Sequence, residues 1–261
     1  MWDSLIIDPL INTLLYIYSI FGHNFGLAII LLTVLIRIIL YPLTAKQIKS
    51  SKSLQDLQES KKWQEIQKKY KNDREKLAQE QMKLYQEMGI NPFGACLPTL
   101  IQLPIIIGLY QSIINALAST PIQLLDLSRH IYSFFPNISS LIPLNSHFLW
   151  MDLSQKERLF LPFLPNVGIP VLAILVVITS YMQSKLMTPP QSNPGDQGAQ
   201  MSKMMNIYMP LLIGYLALSY ASGLALYFLA SNVVGILQYA IMGKLEWSNL
   251  LPFIKKEKKP K

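Results

Sequence analysis

The sequence predicts an all-α integral membrane protein, and three observations support this fold class. Charged residues make up only 15% of the 261 residues, whereas soluble domains carry about 25%. Hydrophobic residues make up 51%. The charged residues leave three blocks without any charge, 88–125, 159–184 and 204–243. Because a membrane-spanning helix needs about 20 apolar residues, these blocks hold more than three spans.

The apolar stretch that contains Arg37 is one span, and the blocks 88–125 and 159–184 each hold one more. The block 204–243 is too long for one span and breaks into two at Tyr220–Gly223, so the sequence predicts five transmembrane helices. Residues 2–22 are apolar but contain Asp3, Asp8 and Pro9, which favours an interfacial helix over a sixth span. The predicted order is an interfacial amphipathic helix (1–22), transmembrane helix 1 (23–43), a cytoplasmic helical hairpin (44–91), transmembrane helix 2 (92–118), an outer loop (119–158), transmembrane helix 3 (159–184), a cytoplasmic loop (185–203), transmembrane helices 4 (204–220) and 5 (223–243), and a basic cytoplasmic tail (244–261).

Lysine and arginine set the predicted orientation. Alternate connections and the tail carry 19 basic residues on one side, against three on the other. Because the basic side is cytoplasmic, the N-terminus is expected outside and the C-terminus inside. The net charge of +8 is thereby explained without sequence-specific binding of nucleic acid.

The segment 44–91 is predicted to form an antiparallel helix pair that projects into the cytoplasm. Leu57, Ile66 and Leu84 belong to apolar positions at helical spacing, and Asn72-Asp73 interrupts the pattern. Two interpretations remain open. The hairpin is either a solvated linker or a docking surface for a cytosolic partner or an emerging polypeptide.

Arg37 is the most informative polar residue. A charge within a span costs at least about 2.5–3.5 kcal/mol at the helix centre. Arg37 lies six residues before the expected inner end of its span, or roughly 9 Å deep at 1.5 Å per residue. Snorkelling to the headgroups is one explanation.

The alternative is a polar groove open to the cytoplasm, because other spans place polar or aromatic side chains at similar depth and such groups need partners or water. Such a groove would end partway across the membrane and shorten the distance that a hydrophilic segment must cross. The candidate groove residues are Arg37, Thr33, Thr99, Gln102, Thr179, Gln183, Phe228, Ser231, Asn232 and Gln238.

Signals for catalysis or metal binding are weak. His23, His130 and His147 show no metal-ligand spacing, and no histidine lies in a span where it could activate Ser222. The single cysteine, Cys96, is expected to be a packing residue. We therefore predict no enzyme activity, no catalytic residue, no metal and no cofactor.

At the level of motifs, Gly26–Arg37 followed by Tyr41–Thr44 closely resembles the first conserved span of the YidC family of membrane protein insertases, which includes Oxa-type and Alb-type relatives. Six further segments resemble later motifs of the family, in the same order: Lys83–Pro98, Gln102–Pro104, Phe148–Leu153, Gln183–Pro190, Met204–Pro210 and Gly223–Asn232. The resemblance is to the bacterial type without the large outer domain.

The resemblance implies five core helices, a cytoplasmic hairpin and a groove in which Arg37 occupies the position of the family's arginine. Thr33 and Phe228 occupy positions that lie beside the inserting segment in the family, although Phe228 stands where a tyrosine is frequent. The implied function is a membrane protein insertase and folding chaperone in the bacterial plasma membrane. Its expected partners are nascent membrane proteins and the lipid bilayer, with the ribosome, the signal recognition particle pathway and the Sec translocon as candidates. A small-solute or ion transporter and a non-transporting scaffold are the alternatives.

Overall fold

A computed structural model describes residues 2–70, 73–90, 97–117, 120–132, 144–161, 164–187 and 197–243. The expected start of transmembrane helix 2, Cys96, residues 188–196 of the cytoplasmic loop and the basic tail lie outside the described residues. The chain divides into two compact units. The larger unit comprises Met1–Ile38 together with Ile106–Lys261, and the smaller unit is Ile39–Ile105.

The chain is mostly helical. A π-helical turn, Asp3–Ile7, leads into the first of ten described α-helices, and two short antiparallel strand pairs lie between the seventh and eighth. The elements are α1 (Asp8–Ile20), α2 (Phe25–Ile39), α3 (Tyr41–Glu59), α4 (Lys61–Lys69), α5 (Arg74–Glu87), α6 (Leu97–Ala116), α7 (Pro121–His130), β1 (His147–Phe148), β2 (Met151–Asp152), β3 (Leu159–Leu161), β4 (Leu164–Ile169), α8 (Val171–Met187), α9 (Gln197–Ser219) and α10 (Ser222–Ile241).

The larger unit has one continuous hydrophobic core to which α1, α2, α8 and α10 all contribute. Helix α8 packs against both α9 and α10. Helix α1 presents Ile11, Leu14 and Leu15 to this core, and all three side chains are fully buried. The predicted interfacial helix therefore has a protein-facing side, and burial of that side holds α1 against the other helices.

The smaller unit contains α3, α4, α5 and the first part of α6. Leu57, Trp63 and Leu84 form its own small buried cluster. Ser60 caps α4 and Asp73 caps α5, because each side chain accepts a hydrogen bond from a backbone N–H of the first turn. The sequence predicts a pair of helices, whereas three helices occupy this segment, because α3 ends at Glu59 and a new helix begins after the Ser60 cap.

Residues 159–170 differ from the prediction, which begins transmembrane helix 3 at Leu159. Leu159–Leu161 and Leu164–Ile169 form the antiparallel strands β3 and β4, with Leu159 opposite Ile169, and the helix begins only at Val171. Proline lacks the N–H that a helix interior needs and disfavours helical backbone in the residue before it. Pro165 and Pro170 therefore delay the helix, although the segment carries no charge and is mostly apolar.

Among the described residues, one helix, Ser222–Ile241, is long and apolar enough to cross a membrane. The number rises to two if α2 and the start of α3, which are separated by a break at Leu40, form one span. Two shorter apolar helical stretches are Val171–Leu186 and Asn206–Ser219.

Candidate functional site

The candidate site lies in the larger unit, where polar side chains of α2, α8 and α10 meet. Arg37 is near the end of α2 and is half-buried. Its guanidinium donates through Nε and Nη2 to the hydroxyl of Ser231 on α10, and the distance from Nε to Oγ is 3.0 Å. A helical residue three or four positions further on lies on the same face. The α10 face that carries Ser231 therefore also carries Gly235 and Gln238.

Gln238 binds the backbone rather than the charge of Arg37. Its Nε2 donates to the Arg37 carbonyl over 3.0 Å. Its Oε1 is buried and is the only such buried side-chain atom of the described residues without a hydrogen-bond partner. Together, Ser231 and Gln238 fix the guanidinium and the main chain of Arg37 against α10.

Gly235 lies between these two contacts and leaves space for two polar groups. An added Cβ there would lie 2.7 Å from Nε2 of Gln183 and 3.6 Å from Nη1 of Arg37. The amide of Gln183, on α8, therefore approaches the same face of α10 as the guanidinium. A side chain at position 235 would require the Gln183 amide to shift from this place, and sequence reasoning did not single out Gly235.

A second polar contact joins α8 to α10. Asn232 donates to the hydroxyls of Thr179 and Ser180, over 3.1 Å and 2.7 Å. Asn232 and Ser180 are both buried. A buried amide without partners is costly, and these hydrogen bonds satisfy the Asn232 donor. Ser180 was missed by the sequence analysis, although it follows Thr179 directly.

Four further predicted groove residues make no described contact with Arg37. Thr33 is fully buried, and its hydroxyl donates to the Ile29 carbonyl of its own helix over 2.6 Å. Phe228 is 5% exposed and belongs to the hydrophobic core. Gln102 is half-buried in the smaller unit, and the Thr99 side chain lies outside the described residues.

The charge of Arg37 is not neutralised by a carboxylate among the described residues. Those residues also contain no group of three or more histidine, cysteine, aspartate or glutamate side chains that could hold a metal ion. The site therefore presents a cation, held by a hydroxyl, beside amide groups. This chemistry binds carboxylates and peptide carbonyls.

Comparison with known proteins gives consistent matches over most of the chain. The sequence model of the family described as 60Kd inner membrane protein matches residues 16–248. Membrane protein insertase YidC of Oceanobacillus iheyensis is 33% identical over 252 residues, covering 94% of this chain and 84% of that protein. Membrane protein insertase MisCA of Bacillus subtilis is also 33% identical, over 264 residues, covering 99% of this chain and 83% of that protein.

Longer relatives match over only part of their length. YidC of Geobacter metallireducens is 34% identical, and the match covers 93% of this chain but 38% of that protein. A crystal structure of an active YidC insertase with its first transmembrane domain resolved matches 93% of this chain and 46% of its own chain, at 27% identity and a TM-score of 0.57. The family model and the relatives together show that the chain belongs to the 60Kd inner membrane protein family, whose members here include YidC and MisCA.

Proposed function

We propose that this chain is a membrane protein insertase of the cell membrane that guides hydrophobic segments of nascent proteins into the bilayer and assists their folding. The family and the two relatives matched over more than four-fifths of their length support this activity. The proposed arrangement keeps the five spans, an outside N-terminus and a cytoplasmic C-terminus, as the distribution of basic residues predicts.

The observation that carries the proposed mechanism is Arg37, which forms no ion pair with a carboxylate of the described residues. Holding a cation in a membrane helix without a counter-ion is costly. The hydroxyl of Ser231 offsets part of that cost, and a carboxylate of a passing substrate would offset more. At 4 Å, two unit charges attract by about 1 kcal/mol in water and about 4 kcal/mol near a protein surface. The groove would therefore favour the hydrophilic flank of a substrate that carries acidic residues.

In this mechanism the polar flank enters the groove while the apolar segment leaves for lipid. Hydrophobic transfer drives the second step, so that no nucleotide and no cofactor are required. Arg37 and Ser231 bind the flank, with Gln183, Gln238, Asn232 and Thr179 as the remaining polar wall. Thr33 and Phe228 stay in the proposal as residues beside the inserting segment, and Thr99 and Gln102 stay in it as residues of the groove. The hairpin would receive the nascent chain, and the ribosome, the signal recognition particle pathway and the Sec translocon are the proposed partners.

Insertion into proteoliposomes tests the mechanism. Substrates with one span and either an acidic or a neutral outer tail would be scored by protease protection with the wild-type chain, Arg37→Ala and Arg37→Lys. We expect Arg37→Ala to reduce protection of the acidic substrate far more than that of the neutral one, and Arg37→Lys to retain most of it, because the charge persists.

Three outcomes are distinguishable. Equal protection of both substrates by wild type and Arg37→Ala would refute the role of the charge but keep the insertase. Protection no greater than in empty liposomes, for every substrate, would refute the activity itself. Ion conductance of the wild-type chain in planar bilayers would instead support a channel.

A further inference from the structure

The hairpin formed by β1 and β2 exposes two large apolar side chains. The strands pair with His147 opposite Asp152 and Phe148 opposite Met151. This register leaves Leu149 and Trp150, here called the hairpin tip, as a two-residue turn. Leu149 is 74% exposed and Trp150 is 50% exposed. Turns of this kind usually carry small or polar residues.

Leu149 is also in an unfavourable backbone conformation. Its φ is +55°, in the left-handed region that suits glycine, asparagine or aspartate. A bulky residue persists in such a conformation only when the surroundings impose it, and such residues cluster at functional positions. The turn would be less strained with glycine, so the leucine side chain is present here at a local cost in backbone strain.

The base of the β1–β2 hairpin is fixed to the beginning of α10. The backbone N–H groups of Ser222 and Gly223 donate to the carbonyls of Gln155 and Leu153, over 2.7 Å and 3.1 Å. The Ser222 hydroxyl donates to the carbonyl of Asp152 over 2.7 Å. These carbonyls satisfy N–H groups that the start of a helix leaves unpaired. The hairpin tip is therefore held in a fixed position relative to the first turn of α10.

Glu157 also fixes the position of the hairpin tip relative to the first turn of α8. One carboxylate oxygen accepts from the indole Nε1 of Trp150 and the other from the backbone N–H of Leu172, each over 3.0 Å. Leu172 is the second residue of α8. The indole thus lies within two hydrogen bonds of the first turn of an apolar helix.

We infer that the hairpin tip inserts into the lipid interface of the leaflet at which α8 and α10 begin. Trp is enriched at this depth, because its ring is apolar and its N–H is polar. Here Glu157 already satisfies the N–H, so the tip offers lipid an apolar surface. Exposed Lys156 and Arg158 adjoin this segment and complement phosphate headgroups. The inference rests on the proposed membrane arrangement of α8 and α10.

Site-specific fluorescence in proteoliposomes tests the inference. In a Cys96→Ser background, which removes the single cysteine, an environment-sensitive probe is attached at Leu149→Cys. Ile178→Cys, on an exposed position of α8, reports the membrane core, and Gln79→Cys, on the smaller unit, reports water. Lipids carry a nitroxide either near the headgroup or near the chain end.

We expect the probe at position 149 to show blue-shifted emission and stronger quenching by the shallow nitroxide than by the deep one. The probe at 178 should be quenched by the deep nitroxide, and the probe at 79 by neither. Glu157→Ala, which releases the indole from α8, should shift the emission at 149 toward that of the water control.

The outcomes separate the inference from the proposed function. A water-like probe at 149 together with a lipid-quenched probe at 178 overturns the inference alone. A water-like probe at 178 overturns the membrane arrangement of α8. Shielding at 149 that is insensitive to lipid quenchers but lost on dilution of the protein would indicate a second copy as the occupant, and it would also overturn the inference.

Leu149→Gly provides a second test that does not depend on a label. Glycine relieves the left-handed backbone, so the variant should fold at least as stably as the wild type. With less apolar surface at the tip, native Trp150 should show weaker quenching by the shallow nitroxide. All variants in this arm carry Trp2→Phe, Trp63→Phe and Trp247→Phe, so that Trp150 is the sole tryptophan. Unchanged Trp150 quenching in a folded Leu149→Gly variant would overturn the anchoring role of the leucine.

Discussion

Gly26 provides the sharpest test of packing, because Phe148 lies directly over it. A Cβ added at Gly26 would lie 2.2 Å from two ring atoms of Phe148 and 2.7 Å from a third. Ordinary carbon–carbon contacts are about 3.5–4.0 Å, so the ring would have to withdraw by about 1 Å or more. Such overpacking costs roughly 1–3 kcal/mol.

Helix propensity opposes this cost. Gly26 lies within α2, where alanine is favoured over glycine by up to about 1 kcal/mol. We therefore expect Gly26→Ala to lower the free energy of unfolding by roughly 1 kcal/mol. For a chain of this size that corresponds to a melting temperature lower by about 2–4 °C, measured in detergent micelles.

A double-mutant cycle with Phe148→Leu isolates the contact. The smaller side chain removes the ring atoms that the new methyl group meets, so that only the propensity effect should remain. In that background Gly26→Ala should be neutral or stabilising, which gives the two single changes a measurable coupling. An equal loss of stability in both backgrounds would refute the proposed packing of Phe148 on α2.

Three further predictions concern the helix caps and the polar contacts. The backbone N–H of Lys76 holds the pKa of the Asp73 carboxyl below its ordinary value. This cap therefore stabilises α5 above the ordinary carboxyl pKa, and the stabilisation is lost as the pH falls through the lowered pKa. Hydrogen exchange at the start of α5 should show this pH dependence in the wild type and lose it in Asp73→Asn. Thr120 and Gln123 form a capping box at α7, so Thr120→Ala should destabilise the chain by about 1 kcal/mol, measured by thermal unfolding. Asn232→Ala removes two hydrogen bonds to α8 and should cost about 1 kcal/mol in micelles, at about 0.6 kcal/mol for each bond in a membrane protein.

Each of these predictions has a contradicting result. The same pH dependence in Asp73→Asn would assign the effect to another carboxyl group. An unchanged melting temperature in Thr120→Ala would show that water replaces the cap. A stable Asn232→Ala variant would show that the Thr179 and Ser180 hydroxyls find other partners, and Asn232→Leu provides a control that keeps the approximate size of the side chain without its hydrogen bonds.

The helical class of the chain was predictable, because charge-free blocks of more than 20 residues are long enough for helices, which satisfy their own backbone hydrogen bonds in lipid. The residue at which α8 begins was not predictable in the same way. The stretch 159–170 is as apolar as the helix that follows it, and a count of apolar residues ignores its prolines. The conformational limits of proline are local, whereas hydropathy is averaged over about twenty positions, so the two signals conflict at the ends of a span.

The polar contacts of Arg37 show a second limit of sequence reasoning. Helical spacing places Ser231 and Gln238 on one face of α10, and both contact Arg37. The same spacing places Thr33 one turn before Arg37, yet its hydroxyl bonds to its own helix. A threonine in a helix can always donate to the carbonyl four residues earlier. A polar face in the sequence therefore does not determine which polar groups face the neighbouring helix.

Gly235 shows the same limit from the opposite side, because its contribution is the absence of a side chain. The Gln183 amide occupies the space that a Cβ would take, and the Arg37 guanidinium lies at van der Waals distance from that space. In the sequence, a glycine in an apolar helix indicates only that a group of a neighbouring helix approaches the backbone closely. Which groups approach depends on the relative placement of α2, α8 and α10, which a single sequence does not specify. Sequence reasoning thus finds the charged residue and part of the polar wall, whereas the fit between them depends on tertiary packing.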